Sequence, residues 1–233
     1  MEPVLEQSVA DPSKPGSITS QVYDRLRGDI LTATLEPGLK LKIEGLREHY
    51  ETGASPIREA LSLLTSEGLV ERLDQRGFRV ADISLAAFEE LLKTRCWMEE
   101  RAISESIGNA TTEWEEGLVL AHHRLTRTDR AAEGDLHTTI VWEKAHKAFH
   151  MALLSACGSR PLLGFCEQLY DQNIRYRYIA VSSAYPKRDI ANEHLQIFEA
   201  AIARNVEKAV RLLLRHYQGT GDYLKETLRA LAR

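Results

Sequence analysis

The 233-residue chain holds no apolar run approaching the roughly 18 consecutive residues that a membrane-spanning helix needs. It has only three cysteines, irregularly spaced. That excludes a disulfide-stapled scaffold and points to a reducing, cytoplasmic setting. No glycine-rich phosphate loop, no Cys/His zinc-finger spacing and no nucleophile elbow occurs, which removes the commonest signatures of nucleotide, zinc-finger and hydrolase chemistry. An excess of positive charge is also missing. Thirty basic residues face 34 acidic ones, for a formal net charge of -4. A cationic coat for nucleic acid is excluded, so any DNA contact has to come from local clusters. The opening stretch, MEPVLEQSVADPSKPGS, lacks the basic and apolar segments of a secretion signal. Its acidic, Pro/Ser-rich composition predicts a disordered arm over 1–17.

What the chain does have is hydrophobic periodicity, with 43% apolar residues, enough to bury one or two cores. Residues 18–81 read as one unit. Val22, Leu26 and Ile30 recur at helical spacing in a first helix from about Thr19 to Thr34, which ends before Pro37-Gly38. A short second helix carries Ile43, Leu46 and Tyr50 on one face. After the turn Glu51-Thr52-Gly53-Ala54, a third helix is expected to open with Ser55 as N-cap and Pro56 in its first position. Ile57, Ala60, Leu61 and Leu64 form its apolar stripe, and Gly68 ends it. Leu69–Leu73 and Phe78–Val80 read as two strands of a hairpin turning at Asp74-Gln75-Arg76-Gly77.

Helix, short helix, turn, helix and hairpin in that order describe a winged helix-turn-helix. The second helix of such a pair enters the major groove by its N-terminal end, here Ser55, Pro56 and Arg58. Arg58 lies off the apolar stripe, where it can reach phosphate or guanine. Arg76-Gly77 at the hairpin tip suits a minor groove. The same shape also serves as a plain packing unit, and Arg58 has glutamates nearby with which to pair. Nine basic residues stand against ten acidic ones over 18–81, so the electrostatic case rests on clustering alone.

The words Pro37-Gly38, Ser55-Pro56-Ile57-Arg58-Glu59-Ala60-Leu61, Glu67-Gly68-Leu69-Val70 and Arg76-Gly77 resemble the DNA-binding domain of the GntR family of bacterial transcription regulators. The resemblance implies phosphate or base contact by Arg58 and minor-groove contact by Arg76-Gly77. Where many members carry an arginine this chain has Ala54, so an operator sequence does not transfer.

Residues 82–233 read as an all-α antiparallel bundle, making the whole protein mainly α. Helices are expected near 85–108, 112–128, 139–157, 161–181, 189–204 and 206–231, with Thr112-x-x-Glu115 as a capping box. The stretch DRAAEGDLH (129–137) reads as a polar loop, and 158–161 and 182–186 as breaks. The chain has eight histidines. His146 and His150 lie four apart on one helix and so share a face. His194 and His216 sit eleven residues either side of Asn205, a predicted turn. On antiparallel helices both then stand roughly 16 Å from that turn. The two pairs can converge on one divalent transition metal, zinc, nickel or copper, the first two preferred. The alternative is four separate core or surface imidazoles. His49, His122, His123 and His137 have no such relation.

Phe88–Arg95, Phe149-His150 and the pair His194/His216 look like the FCD ligand-binding domain of the FadR-like branch of that family. The resemblance implies a divalent metal held by His150, His194 and His216, with His146 standing where members usually have an Asp. It also implies a small carboxylate effector beside the metal, with Arg95 as the leading clamp and Arg175 and Arg177 as further candidates. Glu99, four residues on, makes Arg95 equally a candidate for an intrahelical ion pair. The longer words Thr94–Glu99 and His146–Ser159 are most similar to a carbon-starvation-induced member of the branch, implying a dicarboxylate or amino-acid catabolite. The expected function is therefore a homodimeric, ligand-responsive regulator, a repressor of a double-stranded operator, with no membrane partner. A metal-dependent enzyme and a helical adaptor are the alternatives. The connection from about Ala81 to about Leu85 is short, so movement of the helix carrying Arg95 is expected to re-aim the winged domain.

Overall fold

The computed structural model describes residues 17–74, 76–130, 136–180 and 188–231. The proposed arm lies outside them but for Ser17, as do 131–135 of the polar loop and the whole 182–186 break. The first part runs α1 (Ile18–Leu31), β1 (Lys40–Leu41), α2 (Ile43–Tyr50), α3 (Ala54–Ser66), β2 (Val70–Leu73) and β3 (Gly77–Val80). Val22, Leu26 and Ile30 of α1 and Ile57, Ala60, Leu61 and Leu64 of α3 are all buried in one core, as the stripes require. The strands form an antiparallel sheet in the order β1-β3-β2, with Leu41 opposite Phe78 and Val70 opposite Val80. Gly77 has φ +92 at the start of β3, a conformation that favours glycine.

Three local expectations are corrected. α1 stops at Leu31, because Thr32 turns its hydroxyl back to the Gly28 carbonyl (2.9 Å) and Ala33 adopts φ +59. The N-cap of α3 is Gly53, not Ser55. Ser55 and Pro56 both lie in the first turn, where the N–H that proline lacks has no intrahelical partner anyway. Strand β1 was not expected: two residues are too few to carry an alternation signal.

The second part is α4 (Leu85–Gly108), α5 (Thr112–Thr126), α6 (Leu136–Leu154), α7 (Arg160–Ala180), α8 (Ile190–Ile202) and α9 (Val206–Leu231). Ser84 caps α4 by accepting from Ala87 N (3.1 Å). Thr111, not Thr112, caps α5, accepting from Trp114 N at 3.3 Å, so no Thr112/Glu115 box forms. α4 packs along α9, α7 and α6. α5 packs on α6 and α8, and α8 on α9. A second core holds Phe88, Ile103, Leu118, Phe149, Ile197 and Leu213. α7 belongs to both halves. It lies against α1, and its Tyr170 and Ile174 are buried in the winged-domain core.

Candidate functional site

In the first part, Arg58 is exposed in the second turn of α3. No ion pair involves it among the described residues. The neighbouring Glu59 is engaged elsewhere, with Thr19 (2.9 Å) and Ser55 (3.3 Å). Arg72 and Arg76 are exposed on the hairpin. Arg79 is not a free cation: it pairs with Glu71 at 2.6 Å and Asp82 at 3.5 Å.

Inside the bundle, α6, α8 and α9 bring four buried imidazoles together. One ligand atom from each of His146, His150, His194 and His216 lies within 4.8 Å of the others. His146 Nε2 stands 3.0 Å from His150 Nε2 and 3.1 Å from His194 Nε2. Four nitrogens at about 2.05 Å around one ion would stand roughly 3.3 Å apart. The spacing of four along α6 and the mirrored placement about Asn205 are what put them there.

The surroundings set which nitrogen carries the proton. Tyr217 gives its only hydroxyl proton to Glu99, so its 2.9 Å contact with His150 requires that His150 Nδ1–H donate. His216 Nδ1 donates to Glu193 at 2.8 Å. Burial works against the Glu193 charge, but hydrogen bonds from His216 and Arg188 hold its carboxyl down at about 2. The Nε2 atoms of His150 and His216 are therefore lone pairs. Burial, reinforced by the other imidazoles, holds His146 and His150 far below the ordinary imidazole value. The same causes lower His194 to about 2, and His216 is lowered mainly by burial, against the pull of Glu193. Buried lone pairs facing one another without protons are a poor arrangement for a protein alone and a good donor set for a cation.

Three chains back these rings, each ending in an arginine. His146 Nδ1 meets the Tyr170 hydroxyl (2.8 Å), which also contacts Glu143 (3.4 Å), itself paired with Arg177 (2.5 Å). His150 leads through Tyr217 and Glu99 to Arg95. His216 leads through Glu193 to Arg188, 2.5 Å away. Such outer partners orient metal-binding imidazoles. Gly219 in α9 leaves room for Arg188, whose guanidinium would stand 2.8 Å from a Cβ there.

The intrahelical ion pair expected of Arg95 is present. Arg95 is buried, donates from Nε to Glu99 (2.6 Å) and from Nη1 to Asn173 (3.1 Å), and lies 4.0 Å from the Tyr217 ring centroid. Its Nη2 has no hydrogen-bond partner among the described residues. Arg177 is in the same network. Arg175 is not: its Nη2 donates to the Ala81 carbonyl (2.5 Å), at the end of the winged domain. A cavity of about 340 Å³ opens beside His194, lined by Arg130, Trp142, Arg188 and Ile190 among others. Trp142 stacks on His146, with centroids 4.5 Å apart. His122, which sequence spacing excluded, stacks instead on Phe198.

The chain matches the model of bacterial regulatory proteins of the gntR family over residues 18–80 and the FCD domain over residues 90–219. It belongs to the GntR family. It is 38% identical to the HTH-type transcriptional regulator BphR of Paraburkholderia xenovorans, over 90% of this chain and 86% of that one. It is 33% identical to the HTH-type transcriptional repressor GlaR of Escherichia coli, over 83% and 90% of the two chains. The fold is that of E. coli McbR/YncC, with a TM-score of 0.75 at 21% identity over 91% of this chain and 99% of that one. A GntR domain joined to an FCD domain makes this a ligand-responsive DNA-binding transcription regulator. The family's members are regulators, which sets the enzyme alternative aside.

Sequence reasoning missed Tyr170, Tyr217, Glu143, Glu193 and Arg188. Glu193 and Tyr217 adjoin His194 and His216 in the chain, a signal that was available. Nothing in the spacing pointed to Tyr170, which comes from a different helix.

Proposed function

We propose that this GntR-family chain is a metal-dependent repressor released from its operator by a small carboxylate. The winged domain over 18–81 binds double-stranded DNA, with Arg58 and the Ser55-Pro56 turn in the major groove and Arg76-Gly77 in the minor groove. The helical domain over 82–233 holds one divalent ion, zinc or nickel, through His146, His150, His194 and His216. The observation that carries this is the set of buried, inward-facing imidazole lone pairs, each of two fixed by a hydrogen bond on its other nitrogen. A fourth imidazole in place of a carboxylate favours later, softer metals. The bound ion supplies a positive charge with open coordination positions for carboxylate oxygens. The cavity beside His194, with Arg130 in its wall, is the way in. Arg95, carrying an unpartnered buried Nη2, and Arg177 add charge-assisted bonds. The name of its relative GlaR supports repression as the sign of control. Two copies reading two half-sites supply the affinity that one winged domain lacks. Such a protein works in the bacterial cytoplasm. A helical adaptor would leave the converging imidazoles without a reason.

Elemental analysis of the purified protein is expected to find one zinc or nickel per chain. A gel shift on the protein's own upstream DNA, repeated with chelator and with small mono- and dicarboxylates, tests the rest. Metal-free protein with unchanged melting after chelation, or a shift that no carboxylate alters, would overturn the corresponding part.

A further inference from the structure

The short connection before α4 is not the only link between the halves, and α7 is the more direct one. Six contacts leave one stretch of it. The Tyr170 ring is buried in the winged-domain core, yet its hydroxyl stands 2.8 Å from His146 Nδ1. Asp171 receives Arg27 of α1, and also Lys147, the residue after His146. Gln172 donates to the backbone carbonyl of Glu67, the C-cap of the recognition helix α3, at 2.7 Å. Gly68, at φ +72, makes room for it: a Cβ there would stand 2.8 Å from Gln172 Nε2. Arg175 reaches the Ala81 carbonyl. One turn and a half of helix thus touches a candidate metal ligand, helix α1, the end of α3 and the end of the wing.

We infer that Tyr170 is a positioning residue that couples the four-histidine site to the recognition helix, through its hydroxyl on His146 and its ring in the winged core. The inference rests on the metal reading above. The Tyr170 phenol donates to Glu143 at 3.4 Å, so in its 2.8 Å contact with His146 the Nδ1–H donates, which leaves His146 Nε2 as a lone pair for an ion. An ion drawing on that nitrogen would strengthen the contact, and the ring could not shift alone to meet it, because close-packed cores have no slack. The consequence reaches Glu67 through Gln172, two residues on in the same helix. A two-state element biased from both ends is what coupling between sites requires.

Hydrogen exchange on the full chain, chelated against zinc-loaded, tests this with zinc itself as the probe. Zinc uptake is followed independently by elemental analysis and by the change in tryptophan emission, to which Trp142, stacked on His146, contributes. In the wild type, zinc is expected to slow amide exchange over 64–70 by about fivefold, the lower end of ordinary coupling between sites. Tyr170→Phe keeps the ring and removes the hydroxyl. It should still take up zinc and gain protection near His146, but the zinc effect over 64–70 should vanish. A merely structural role would change the exchange rates with and without zinc alike. Gln172→Ala touches no histidine partner and serves where Tyr170→Phe folds poorly. It should bind zinc as wild type and lose the zinc effect over 64–70. Zinc-induced protection over 64–70 that is equal in wild type and both variants overturns the inference, as does wild-type protection confined to the bundle. A wild type that takes up neither zinc nor, in the same experiment, nickel overturns the metal reading, and this inference with it.

Discussion

Arg58 and Arg95 are both arginines on helices, and burial separates their roles. Arg58 is exposed and without an ion pair among the described residues, so its charge is available to DNA. Arg58→Ala should lower operator affinity by about tenfold or more, the worth of one good base or phosphate contact, with fold and metal content unchanged. Filter binding at fixed salt against circular dichroism checks both halves of that statement. Arg95 is buried between Glu99, Asn173 and two tyrosine rings. Arg95→Ala therefore leaves Glu99 uncompensated, and breaking such a buried pair costs about 3–5 kcal/mol. It also disturbs Tyr217, and through it His150. Arg95→Lys is the sharper probe: it keeps the charge but loses the planar fork. Calorimetry should find weaker carboxylate binding in that variant with metal content retained. His150→Ala is expected to lose the metal and much of the thermal stability that the metal confers, as read by elemental analysis and melting.

At the scale of the helix, α9 contrasts with α2. Gly221 faces Leu92 of α4 so closely that a Cβ would collide with its side chain, whereas a Cβ on Gly45 would meet nothing within 4 Å beyond its own helix backbone. Replacing a helical glycine by alanine gains up to about 1 kcal/mol from backbone entropy. Overpacking costs about 1–3 kcal/mol, so packing wins at Gly221 and entropy wins at Gly45. Gly221→Ala should melt lower than wild type and Gly45→Ala higher. The histidines on α6, α8 and α9 also set a pH dependence. Their folded values lie below the ordinary imidazole value of 6.5. Above that value folded and unfolded chains are both neutral, and the full stability is present. As the pH falls below it the unfolded chain takes up protons that the folded one refuses, so stability is lost, by ~1.4 kcal/mol per fully refused proton per pH unit. Chelated protein should thus lose denaturant resistance steadily from pH 7 to pH 5. Zinc-loaded protein, whose metal holds the imidazoles deprotonated, should be the more resistant at pH 7.

For the molecule as a whole, the prediction is a homodimer on a pseudo-palindromic site, because one winged domain contacts too few base pairs to be specific. Light scattering of the free protein and of its DNA complex should give two chains in each. A strict monomer that binds the operator tightly would contradict it.

The order of the helices and the hairpin, the winged unit and the convergence of four histidines were legible in the chain. All three follow from short-range rules: apolar spacing along a helix, glycine at turns, and the equal rise of residues on either side of a turn. Helix ends were less legible, because Thr32 and Gly53 act through single backbone hydrogen bonds and angles that leave little trace in periodicity. What only the tertiary structure decided is how the site is supported and connected. Tyr170, Glu143 and Arg177 come from α6 and α7, Glu99 and Arg95 from α4, and no spacing rule relates these helices. The sequence allowed Arg175 a place at the effector site just as it did Arg177. Helical rotation put one beside Glu143 and sent the other to the Ala81 carbonyl. Two residues along an α-helix differ by about 200° around its axis, and which side faces the histidines depends on where α7 lands between the two cores.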